Sequence, residues 1–148
     1  MKNIRHRKSS EITANATFVF MNKQIIKTSK APAPIGPYNQ AVKAGGFLFI
    51  SGQIAIDPAD GILYQGDISV ETEKVMYNLQ GILEEAGLTF ENVVKTTIFL
   101  TDMGQFGQVN EVYGRFINPE TAPARETVEV RGLPKGVNVE ISMTAVFS

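Results

Sequence analysis

Arg125 opens a run of alternating side chains, Ala122-Pro-Ala-Arg-Glu-Thr-Val-Glu-Val130, and a guanidinium at such a position has two readings. It is a solvated surface residue, the commoner fate of arginine. Or it anchors an anion, because its planar fork of donors matches a carboxylate in a way that a lysine ammonium does not. Tyr38 is a second candidate. It lies in Ala31-Pro-Ala-Pro-Ile-Gly-Pro-Tyr-Asn39, whose three prolines exclude a helix or a central strand. A loop stiffened in this way can hold the phenol in a pocket wall or act only as a turn. Other chemistry is excluded by what the chain lacks. Without cysteine there are no disulfides, thiolate metal sites or thiol nucleophiles. The one histidine, His6, sits in a polar N-terminal stretch, so a Ser-His-Asp triad or a histidine metal cage has nothing in the folded body to draw on.

The elements that position these residues belong to a chain of 148 residues, 43% apolar and 20% charged, which fits one compact domain. Net charge is −1, but Lys2, Arg5, Arg7 and Lys8 crowd the first eight positions. Beyond residue 20 the chain has 10 basic and 14 acidic residues, a balance of −4. An acidic body argues against broad binding to nucleic acid, whose affinity comes from clustered lysine and arginine. No GxxxxGK[ST] or GxGxxG occurs. No apolar run reaches 18 residues, and Thr17-Phe-Val-Phe-Met21 is too short for a signal-peptide core, so a cytoplasmic protein without membrane contact is expected. Residues 1–20 are expected to be a disordered extension, or the product of a start codon assigned too early, ahead of a single domain over 21–148. A basic tail that docks a partner is the alternative.

Gly46-Phe-Leu-Phe-Ile-Ser-Gly52 reads as a buried strand, and Asp57-Pro-Ala-Asp-Gly61 as a turn. A helix follows, with Ser69 as N-cap, Glu71 and Glu73 in its first turn, an apolar stripe of Val75, Met76, Leu79, Ile82, Leu83 and Ala86, and Gly87 as its stop. Val93–Leu100 is β-branched and aromatic, hence a strand. Asp102 then caps a second helix that places Phe106, Val109, Tyr113 and Phe116 or Ile117 on one face, weakened by Gly104, Gly107 and Gly114. In the next strand Arg125, Thr127, Glu129 and Arg131 oppose Val128 and Val130. In the last, Asn138, Glu140, Ser142 and Thr144 oppose Val137, Val139, Ile141, Met143, Ala145 and Phe147. Both polar sets are expected to face away from the helices, which makes Glu140 solvent-facing on periodicity alone, and the Gly132-Leu-Pro-Lys-Gly136 loop suggests a hairpin. The order of elements gives an α+β fold, a mixed sheet with two helices on one face. The other face has too few charges for a fully solvated surface, so a partner subunit is expected to cover part of it.

Across nearly all of residues 22–148 the sequence resembles the Rid, or YjgF, family of small imine deaminases. The resemblance lies in Ala33-Pro-Ile-Gly-Pro-Tyr-Asn-Gln40, Phe49-Ile-Ser-Gly-Gln53, Val93-Val-Lys-Thr-Thr-Ile-Phe-Leu100, Val109-Asn-Glu-Val-Tyr113 and, above all, Ala122-Pro-Ala-Arg-Glu-Thr-Val-Glu-Val130 with Leu133-Pro-Lys135 and Val139-Glu-Ile141. It implies a chorismate-mutase-like fold and a homotrimer with its sheets around a central barrel and a site in each cleft between subunits. The last strand would then lie between the first and second core strands, with the Arg125 strand at the far side, against the hairpin reading. The reaction implied is cofactor-free hydrolysis of 2-imino acids and their enamines to 2-keto acids and ammonia, which protects pyridoxal-phosphate enzymes from damage. By the same resemblance Arg125 anchors the substrate carboxylate and Glu140 holds or activates water. Tyr38 and Asn110 match pocket positions, and the backbone around Ser51, Gly52 and Thr127 matches groups that bond the substrate. Thr127 stands where some members carry cysteine, so a thiol is dispensable there. A non-catalytic protein sensing a small carboxylate, such as a 2-keto acid, is the alternative. RNA cleavage, attached to some relatives, fits poorly with the acidic body.

Overall fold

The computed structural model describes residues 22–148. The extension expected over 1–20, with His6, lies outside the described residues. Strands β1 (Gln24–Ile26), β2 (Ala41–Ala44) and β3 (Phe47–Gln53) precede helix α1 (Ile68–Glu85). Then come β4 (Val93–Leu100), α2 (Phe106–Gly114), β5 (Ala124–Glu129) and β6 (Val139–Val146). The two short strands β1 and β2 were not legible in the sequence, because three and four residues are too few to display a period.

The strands form one sheet in the order β1-β2-β3-β6-β4-β5, antiparallel except for the parallel pair β4–β5. The last strand therefore lies between β3 and β4 with β5 beyond, and the Gly132–Gly136 loop does not close a hairpin. Parallel neighbours need a crossover, and α2 supplies it between β4 and β5. Both helices cover one face. Leu48, Ile50, Ile98, Leu100, Ile141 and Met143 of the sheet pack with Val75, Met76, Leu79, Ile82 and Leu83 of α1 and with Val109 and Tyr113 of α2. The sequence-predicted stripe of α1 is thus the core, except that Ala86 is only half-buried.

Helix boundaries depart from the expectation in two places. Asp67, not Ser69, caps α1: its carboxylate accepts from the Ser69 and Val70 amides at 2.8 and 3.2 Å. The helix starts earlier because Ile68, 3% exposed, joins the core. At the other end Gly87 takes φ +73°, and Leu88 N–H returns to the Leu83 carbonyl at 2.9 Å, as a left-handed stop requires. Asp102 caps a 3₁₀ turn, Met103–Gln105, and α2 itself starts only at Phe106.

The larger correction concerns which way β5 faces. Directly paired residues share a sheet face. Thr96, Ile98 and Leu100 of β4, all buried under the helices, pair with Arg125, Thr127 and Glu129 of β5 and with Met143, Ile141 and Val139 of β6. Arg125 and Thr127 thus lie on the helix-covered face. Glu140, opposite Phe99, lies on the other. Alternation could not reveal this, because β5 is an edge strand with no fully buried residue to mark its inner side. Asn138 also departs: its side chain turns to Glu71 of α1. The uncovered sheet face bares Phe47 and Phe49, 42% and 49% exposed.

Candidate functional site

Against β6 the register of β3 shifts between Ile50 and Gln53, so Ser51 and Gly52 form a bulge. Beside it lies a cleft of about 320 Å³, large enough for a small metabolite, with Tyr38, Ser51, Gly52 and Glu140 as its polar or backbone-presenting groups and Ile35, Ile54 and Pro134 as apolar wall. The missing side chain at Gly52 leaves room for Glu140. A Cβ there would fall 2.8 and 2.9 Å from Cδ and Cγ of Glu140. Ser51 ties the bulge to the proline-rich loop, donating Oγ to the Asn39 carbonyl at 2.6 Å and its amide to the Gln40 carbonyl at 3.0 Å. Gln40, which sequence reasoning missed, is the hub of that loop. Buried to 3% exposure, its amide donates to the Thr28, Ala31 and Pro32 carbonyls and accepts from Thr28 N–H at 2.7 Å. Tyr38 is thereby presented at the rim, its hydroxyl accepting from the Ile35 amide at 3.3 Å. Glu140 is half-buried, and burial pushes its carboxyl above the ordinary glutamate value.

Arg125, Asn110 and Thr127 lie elsewhere, where β5 runs under α2. The guanidinium carbon stands 4.9 Å from the Tyr113 ring centre and 5.8 Å from that of Phe106, a cation–π platform. Asn110 is four residues after Phe106 and three before Tyr113, so it shares their face of α2. Tyr113 is fixed in turn, donating its hydroxyl to Thr96 Oγ1 at 3.2 Å. Burial raises its pKa against the opposing pull of Thr96 and Arg125, so the ring stays neutral under the cation. None of the four ion pairs among the described residues involves Arg125. Thr127 Oγ1 and Gln105 Oε1 are both buried without a hydrogen-bond partner. Nothing in the sequence singled out Gln105. The aromatic platform was legible only as core spacing.

The seven residues singled out from the sequence fall into two groups on opposite faces of the sheet, four at the cleft and three beside α2. A half-buried carboxylate next to a small cleft can take a proton from water. A guanidinium held on two rings with no carboxylate of its own can bind one from outside. Within one chain the sheet separates the two groups. Among the described residues no three His, Cys, Asp or Glu side chains stand together as a metal site, and no helix is long and apolar enough to cross a membrane.

Residues 28–147 match the family model described as Endoribonuclease L-PSP. A RutC family protein of Synechocystis is 54% identical over 128 residues, covering 86% of this chain and 98% of that protein. The mouse 2-iminobutanoate/2-iminopropanoate deaminase is 46% identical over 124 residues, covering 84% and 91%. Among solved structures, E. coli TdcF with bound serine superposes with a TM-score of 0.79 at 39% identity, covering 84% of this chain and 99% of that one.

Proposed function

The chain belongs to the Endoribonuclease L-PSP family, also called Rid or YjgF, and from that membership we propose that it hydrolyses 2-imino acids and their enamines to 2-keto acids and ammonia. The observation that carries this reading is the unpaired Arg125 guanidinium on one face of the sheet and the desolvated Glu140 in a cleft on the other. Each is half of a site for a small carboxylate, and two copies of the chain are needed to join them. The assembly we infer is the homotrimer expected from the resemblance, with the exposed Phe47 and Phe49 face turned inward and each site shared by two subunits, in the cytoplasm. The deaminase name of the mouse relative and the serine bound to TdcF, itself a small α-carboxylate, support the substrate class.

In this mechanism Arg125 of one subunit holds the carboxylate bidentately, flanked by Asn110 and by the Thr127 backbone. Tyr38 and the Ser51–Gly52 backbone of the other subunit orient the C=NH₂⁺ group in the cleft. The iminium carbon is already electrophilic, so no covalent nucleophile or cofactor is needed. Glu140 takes a proton from water as the water oxygen bonds to C2, giving a carbinolamine. It returns that proton to nitrogen and, as the C–N bond breaks, takes the hydroxyl proton and passes it to the departing ammonia, so the 2-keto acid and ammonium leave and the carboxylate is restored. Ribonuclease chemistry is not favoured, because the described residues hold no histidine and beyond residue 20 acids outnumber bases 14 to 10.

The test generates 2-iminopropanoate in situ and follows pyruvate. Wild type is expected to accelerate its release, and Arg125→Ala to lower kcat/KM by about 10²-fold or more while staying folded, because a charged, bidentate contact is lost. Full activity in the variant refutes the mechanism. Ligand-induced thermal stabilisation by 2-keto acids without turnover would make the protein a carboxylate sensor instead.

A further inference from the structure

Among the described residues Glu71 is the one carboxylate in the fully buried set, at 0% exposure in the first turn of α1. Both its oxygens are used by one residue. Asn138 donates its backbone N–H to Oε1 and its Nδ2 to Oε2, each at 2.9 Å. The other two polar groups of Asn138 go to the residue just after β4: its carbonyl accepts from Thr101 N–H at 3.1 Å, and its Oδ1 lies 3.5 Å from the Thr101 hydroxyl. All four of its hydrogen-bonding groups are thus tied down. The segment before it contains two left-handed residues, Lys135 at φ +56° and Gly136 at +71°, and Pro134, which lines the cleft. Two residues after Asn138 comes Glu140.

Such a clamp is needed at this point of the sheet. The β3–β6 ladder ends at Gln53↔Ile141, so Val139 and Glu140 are paired on the β4 side only. Because β3 ends at Gln53, the strand that carries the cleft's carboxylate loses half of its support just where Glu140 stands. We propose that the Glu71–Asn138 pair is a positioning device for Glu140, replacing the missing β3 ladder and fixing where the carboxylate meets substrate and water. This rests on the hydrolytic reading for its kinetic consequence, but not for the clamp itself. A reacting group displaced by about 1 Å loses about 10²-fold in rate, whereas affinity set by Arg125 and Asn110 of the other subunit is left alone.

The test is a pair swap. In Asn138→Asp two carboxylates face each other and the side-chain bond is lost. In Glu71→Gln/Asn138→Asp the new amide donates to Asp and accepts from its backbone N–H, restoring both bonds. The single variant is expected to lower kcat about 10- to 100-fold with KM changed less than about twofold, and the double variant to recover most of kcat. A folded single variant with wild-type kcat, or a folded double variant without recovery, overturns the proposal. Should Asn138→Asp fail to fold, Asn138→Ser, which keeps the backbone bond, is read in the same way: reduced kcat supports the clamp and wild-type kcat refutes it. A second readout is independent of turnover. Titration of ¹³C-labelled glutamates by NMR is expected to find the Glu140 carboxyl shifted in the single variant and returned in the double. If wild type proves inactive on imines, the functional reading fails alone and this titration decides the clamp, an unshifted Glu140 overturning it.

Discussion

Glu140 stands in surroundings that work against its charge, whereas Arg125 is held by two aromatic rings and makes no ion pair among the described residues. Burial raises the Glu140 carboxyl, so the protonated folded form is favoured. Its stability contribution is fully present below the ordinary glutamate range and is lost as pH rises through the raised value. Glu140→Gln is therefore expected to melt at a higher temperature than wild type at neutral pH, with the gap closing under acid, while hydrolysis falls by about 10²–10⁴-fold. Calorimetry across pH, paired with the pyruvate assay, checks both. A variant that is less stable at neutral pH and no more stable relative to wild type at low pH would show that Glu140 is not desolvated. The same shift places the acidic limb of kcat/KM above the ordinary glutamate range. At this scale the sequence supplied the residue types. It could not supply the raised carboxyl, which depends on Gly52 and the cleft walls, far away in the chain.

At the scale of elements, two positions carry sharp expectations. Asp67→Ala removes the acceptor for two α1 amides and is expected to destabilise by about 1 kcal/mol in denaturant unfolding, whereas Ser69→Ala, at the cap expected from sequence, is expected to be near neutral. In β3, Gly52→Ala puts a methyl group where the Glu140 side chain lies. The far end of that side chain can swing away, so the fold is expected to survive with little loss of Tm while kcat falls. Retained kcat would mean that the bulge does not fix the carboxylate. The long helix was legible because its stripe repeats over five turns. The bulge and the cap were not, since both follow from which residues β6 and the core pull inward.

For the whole molecule the decisive feature is that Arg125 and Glu140 lie on opposite faces of one sheet. A site using both must span two copies. Mixing the inactive Arg125→Ala and Glu140→Gln proteins with subunit exchange is therefore expected to restore activity, up to about a quarter of the sites at equal amounts, since a chain carrying only one lesion can lend its intact half. No recovery after demonstrated exchange would place both residues in one subunit's site. In the proposed trimer, Phe49→Lys on the uncovered face is expected to shift the protein in size-exclusion chromatography from three times the 16.2 kDa chain mass towards one. The sequence by itself determined the α+β class, the helix-facing stripes and the family motifs, because periodicity and side-chain chemistry are local properties. Only the tertiary structure decided that β5 turns Arg125 towards α2, that Glu71 reaches across to hold Asn138, and that Arg125 and Glu140 are separated by a sheet. Those facts follow from strand register and long-range packing, which no local pattern encodes.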